Sequence, residues 1–114
     1  MELVKQLDNL EFVYEDVTFY IRPIATAKDR FEIDMTGDWK DGKFEMSKGD
    51  FFLKLIELFV VNWKGVTKDG KKVPYSFKTF AELPNGKNDL ILTLGGFIAS
   101  KTGVLPEPDE KKEG

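Results

Sequence analysis

The sequence predicts an α+β domain in which an N-terminal antiparallel β-hairpin packs on three to four helices. Three observations carry that expectation. Aromatic and β-branched residues alternate with polar ones around Glu15-Asp16 near the start. Two longer runs further on place apolar residues at helical spacing behind capping signals. Between them, glycine and proline mark turns rather than a further long element.

Leu10 to Ile24 supplies the hairpin, with Phe12 and Tyr14 before the turn and Val17, Phe19 and Ile21 alternating with Thr18, Tyr20 and Arg22 after it. Pro23 closes the second strand because it cannot donate to a ladder. Thr26 followed three residues later by Asp29 marks a helix N-terminus, and a short helix from Ala27 to about Met35 puts Ala27, Phe31 and Met35 on one face. A strand is the rival reading, since Phe31, Ile33 and Met35 also alternate with Glu32 and Asp34. Gly37 to Gly42 is expected to be a turn-rich connection.

Ser47 and Asp50 repeat the capping pattern, and Phe51, Phe52, Leu55, Ile56, Phe59 and Val60 behind them form a broad apolar helical face. Helical periodicity is lost from Asn62 to Ser76, where Gly65, Asp69-Gly70 and Pro74 predict a hairpin-like excursion flanked by Val66 and Val73. Ser76 caps a short helix through Phe80 to Leu83, ended by Pro84-Asn85-Gly86. A last helix starts near Lys87, buries Leu90, Ile91, Leu94, Phe97 and Ile98, and stops before Gly103. Gly95-Gly96 in its middle each cost about 1 kcal/mol relative to alanine, which implies close packing there. Residues 1–104 are expected to form one domain, and 105–114, with two prolines and four acidic residues, a disordered acidic C-terminal segment.

Composition narrows the function. Hydrophobic residues are 41% and charged residues 32% of the chain, the balance of a soluble globular protein. With neither cysteine nor histidine, thiolate nucleophiles, disulfides, imidazole bases and zinc sites of the usual ligands are excluded. A net charge of -3 and only two arginines, Arg22 and Arg30, argue against a phosphate backbone as the main partner. The apolar run Phe51 to Trp63 is interrupted by Lys54, Glu57 and Asn62 and is too short to cross a hydrocarbon core of ~30 Å. No secretory signal is visible, so a cytoplasmic product is expected. The pairs Glu15-Asp16, Glu32-Asp34 and Asp38-Asp41 lack the spacing of a calcium loop and read as solvated faces. Lys68, Lys71 and Lys72 form a small basic cluster with Asp69 inside it, read as a solvated turn.

One segment carries more. Val61-Asn62-Trp63-Lys64-Gly65-Val66, the Asp69-Gly70 turn and Val73-Pro74-Tyr75-Ser76 follow an amphipathic helix and precede a further one. This order resembles the tail assembly chaperones of long-tailed bacteriophages, and Phe19 to Ile24, ending in Arg22-Pro23, resembles the strand before their first helix. The resemblance implies a non-catalytic protein of the bacterial host cytoplasm that binds the tape measure protein and helps recruit tail tube subunits. It implies no cofactor and leaves self-association open; the charge balance and the short apolar run above lead to the expectation of no nucleic-acid or membrane partner. The residues it singles out are Trp63, Gly65, Val66, Asp69, Gly70, Val73, Pro74 and Tyr75. Each also has a plain structural account: Trp63 as a core anchor, Gly70 as a turn residue, Pro74 as a stiffener. A head–tail connector or minor tail component, or an inhibitor of a host protein, is the alternative class.

Overall fold

Residues 1–3 and 7–104 are described by the computed structural model, and they form an α+β fold in which an N-terminal hairpin packs against four helices. Strands β1 (Leu10–Tyr14) and β2 (Val17–Ile21) pair antiparallel from Leu10↔Ile21 to Tyr14↔Val17, leaving Glu15-Asp16 as the connecting turn. The period-2 alternation puts Phe12, Tyr14, Phe19 and Ile21 on the core side and Val13, Thr18 and Tyr20 on the other. The segment 105–114, expected to be disordered, lies outside the described residues.

The short helix α1 (Ala27–Thr36) settles the choice between helix and strand. Thr26 Oγ1 accepts the Asp29 N–H at 3.3 Å while the Asp29 carboxylate accepts the Thr26 N–H at 2.8 Å, closing a reciprocal cap. The buried face differs from expectation: Asp29 and Ile33 point inward, whereas Phe31 and Met35 are 63% and 67% exposed. Arg22 sets this phase. Its Nη2 donates to Asp29 Oδ1 at 2.8 Å and to the Leu58 carbonyl at 2.9 Å, and its guanidinium lies 4.6 Å from the Phe59 ring centre. Once Asp29 is held inward, residues two positions on fall about 200° round the helix, toward solvent.

A hairpin replaces the turn-rich connection expected over 37–42. Strands β3 (Asp38–Lys40) and β4 (Lys43–Glu45) pair across Asp41-Gly42, whose φ angles are 52° and 78°. Positive φ at both central residues suits the right-handed twist of flanking strands, and Asp-Gly provides it at little cost.

Helix α2 (Lys48–Phe59) starts at Ser47, whose Oγ accepts the Asp50 N–H at 3.0 Å, and buries Phe52, Leu55, Ile56 and Phe59. Val60 leaves the helix in extended geometry and opens β5 (Val60–Lys64), which pairs antiparallel with β2 through Phe19↔Trp63. This third strand was not predicted. Val60-Val61 favour extended backbone, and a register shift opposite Tyr20 and Ile21 lets both Val60 and Trp63 face the core. The sheet order is β1-β2-β5, with β2 central.

The hairpin predicted beyond Asn62 is present as β6 (Thr67–Lys68) and β7 (Lys71–Lys72), turning on Asp69-Gly70 at φ 53° and 78°. Lys-Asp-Gly-Lys thus occurs twice, at 40–43 and 68–71, with the same geometry. Ser76 caps α3 (Phe77–Phe80), accepting the Thr79 N–H at 3.0 Å. Helix α4 (Asn88–Lys101) packs along α2 and buries Leu90, Leu94 and Ile98, with Ile91 and Phe97 half-buried. Of its two glycines only Gly95 is required by packing: a Cβ there would sit 2.5 Å from Phe52 Cβ, while one at Gly96 meets nothing. Among the described residues no helix is long and apolar enough to cross a membrane.

Candidate protein-binding surfaces

The residues singled out by sequence separate into two groups. Trp63, 5% exposed, donates its indole N–H to the Val73 carbonyl at 2.7 Å and meets the rings of Tyr75 and Phe19 edge-on at 5.1 and 6.2 Å. Val73 in turn donates its N–H to the Val66 carbonyl at 3.1 Å. Gly65 has φ 105°, and the Asp16 carbonyl occupies the space a Cβ would need, so the chain can pass the β1–β2 turn only without a side chain. Trp63, Gly65, Val66, Val73 and Tyr75 are therefore brought together. Asp69 and Gly70 stand apart at the exposed hairpin tip, and Pro74 is exposed between Val73 and Tyr75.

Tyr75 introduces a cost into this cluster. Among the described residues its hydroxyl is buried without a hydrogen-bond partner, and burial, reinforced by the Glu57 charge, pushes its pKa up to about 12. Burying a hydroxyl unpaired is unfavourable. On the outer side of the cluster, Trp63, Gly65, Val66 and Val73 line an open concavity of about 610 Å³ with Tyr20, Asn62, Lys64 and Lys72.

A second hollow was not foreseen. Leu53 of α2, Phe77 and Phe80 of α3, Leu83, and Leu90 and Ile91 of α4 line an open apolar groove of about 270 Å³. Local sequence builds it in steps. The Ser76 cap allows one helical turn, the Phe77 and Phe80 rings stack at 6.1 Å, and Pro84-Asn85-Gly86 swings the chain out before α4 begins. One end is fixed by polar contacts: Lys87 Nζ pairs with Glu15 Oε1 at 3.0 Å and Tyr14 donates its hydroxyl to Asp89 at 2.7 Å. That hydrogen bond is the main reason the Tyr14 pKa is pushed up to about 12. Leu53, an apolar residue outside the core stripe of α2, was the available sequence signal.

Several carboxylates are engaged in local structure. Glu32 and Asp34 pair with Lys28 and Arg30 one turn away, Glu57 with Lys54, and Asp29 with Arg22. Burial alone would raise the Asp29 pKa, but hydrogen bonds from Arg22 and Thr26 and the guanidinium charge outweigh it and hold the carboxyl below its usual range. Among the described residues no group of three or more Asp or Glu could hold a metal ion. Of the phenylalanines, Phe19, Phe52, Phe59 and Phe80 are core, and Phe12, Phe51, Phe77 and Phe97 flank it. Phe31 is exposed. Comparison with family models, curated proteins and solved structures finds no match to this chain.

Proposed function

We propose that this protein is a non-catalytic tail assembly chaperone that binds the tape measure protein in the host cytoplasm and helps recruit tail tube subunits. The observation that carries the proposal is the open apolar groove between α2, α3 and α4. Grooves of this kind accept the apolar face of an amphipathic helix, read as anchors one turn apart. A long helical partner of the tape measure type offers such faces repeatedly, and covering them keeps it from aggregating before a tube surrounds it. The half-buried side chains Leu53, Leu83 and Ile91 provide apolar area that a partner can remove from water, at about 25 cal/mol per Å² before association costs.

The test is co-expression with fragments of a phage tape measure protein. Wild-type protein is expected to co-purify with a helical fragment, and Leu53→Glu/Leu83→Glu to lose it while keeping its circular dichroism spectrum. A folded variant that retains the fragment refutes the groove as the site. Abundant protein in purified virions refutes the chaperone role in favour of a structural one.

A further inference from the structure

Four exposed lysines are concentrated in the short β5–β7 stretch. Lys28, Lys54 and Lys87 each hold a carboxylate. Lys64, Lys68, Lys71 and Lys72 are exposed and, among the described residues, make no side-chain ion pair or hydrogen bond. In a chain of net charge -3, residues 64–72 carry these four lysines against a single carboxylate, Asp69. Lys68 and Lys71 even stand directly opposite in the ladder, an arrangement that costs stability. Such a concentration of unpaired like charge opposes folding and favours an anionic partner.

The lysines are not equivalent. Lys72 pairs with Thr67, so both lie on the face opposite the Lys68 and Lys71 pair. Lys64 and Lys72 line the concavity of about 610 Å³, whose apolar contribution comes from Val66, Val73 and the Tyr20 ring. Lys68 and Lys71 do not line it. One backbone donor of β5, the Trp63 N–H, is already accepted by Asn62 Oδ1 at 2.9 Å.

We propose that this concavity is a second protein-interaction site, for an acidic polypeptide segment that carries apolar side chains. Its carboxylates meet Lys64 and Lys72, and an apolar side chain lies against Val66, Val73 and Tyr20. Lys68 and Lys71 contribute only the longer-range field that draws the segment in. A polypeptide fits better than a nucleic acid: the lining holds no arginine fork, and Val66 and Val73 suit an apolar side chain rather than a phosphate backbone. Glu11, across the ladder from Tyr20, repels carboxylates at the far end and so orients the segment with its acidic groups toward the hairpin. The site is separate from the groove and stands whether or not the groove takes a helix.

The test uses a short synthetic peptide of alternating Glu and Leu, titrated into the full chain at low and high salt while amide NMR signals are followed. Binding is expected to weaken with salt and to shift the signals of Tyr20, Asn62, Lys64, Val66 and Lys72. Lys64→Glu/Lys72→Glu is expected to weaken it by about tenfold or more, and Lys68→Glu/Lys71→Glu by no more than about threefold, although both change the charge equally. All four positions are exposed, and the amide spectrum itself reports whether each variant is folded. Equal loss in the two double variants overturns the proposal by showing a nonspecific charge effect. It is overturned equally by absence of binding, by equal affinity for a Gln–Leu peptide, or by displacement of the peptide by a single-stranded oligonucleotide at lower concentration.

Discussion

Replacing Trp63 by alanine tests whether the most distinctive residue of the chain is a core anchor or a contact surface. The side chain is 5% exposed, ties β5 to the segment leaving β7 through its bond to Val73, and meets Tyr75 and Phe19 edge-on. Removing a buried aromatic of this size costs about 3–5 kcal/mol in transfer and cavity terms. Orphaning the Val73 carbonyl adds to this by about 1 kcal/mol. Against a total stability of about 5–15 kcal/mol, a combined loss of about 4–6 kcal/mol is a large fraction. In urea, with a slope of about 1.5 kcal/mol/M, the midpoint of unfolding by far-UV circular dichroism should fall by about 3–4 M. Trp63→Phe, which keeps ring contact and loses only the N–H donor, should cost about 1–2 kcal/mol. A loss below about 1 kcal/mol for Trp63→Ala would refute the anchoring role and return the residue to the surface.

Three further outcomes follow from single observations. Gly96→Ala should stabilise by about 0.5–1 kcal/mol, as an open helical position allows, while Gly95→Ala should destabilise by about 1–3 kcal/mol because Phe52 must move; thermal melts of the two variants compare them directly. Tyr75→Phe should stabilise by about 1 kcal/mol by removing an unpaired hydroxyl. Since the folded Tyr75 pKa is raised from 10.0 to about 12, the phenol is neutral in both states below pH 10, and stability is lost as pH rises from there toward 12 because the unfolded phenol ionises first; urea midpoints across that range should fall less steeply in the variant. Asp29 behaves oppositely: its folded pKa lies below 3.8, so its stabilisation is present above that value and lost as pH falls through the folded one. Asp29→Asn should therefore be less stable at neutral pH and show a flatter acid limb.

What could be read from the chain was local. Thr26 with Asp29, Ser47 with Asp50, and Ser76 each announce a helix start within one turn, and the alternation around Glu15-Asp16 contains its own pairing. What failed was non-local. The phase of α1 depends on Arg22, which reaches from the end of β2 to Asp29 and the Leu58 carbonyl, so no periodicity within 27–36 could reveal that Phe31 faces solvent. Strand β5 is short and continues directly from a strong helix, and its partner β2 lies about forty residues earlier. The hairpin at 38–45 repeats the Asp-Gly signal recognised at 69–70, but without flanking valines to mark its strands. As for the sites, Trp63, Gly65 and Val73 are legible as an ordered motif, yet the fold first uses them for packing and backbone clearance. The groove's linear signature is confined to Leu53, because Leu53 and Leu83 come to line one hollow only after α2, α3 and α4 assemble.

The central claim is that the groove between α2, α3 and α4 holds a partner helix. Hydrogen exchange of the protein, alone and with a tape measure fragment bound, tests it most directly. Slower exchange concentrated in α3, the Pro84–Asn88 turn and the first turn of α4 is the predicted result. Unchanged exchange there in a formed complex, with protection elsewhere in the chain, would contradict it.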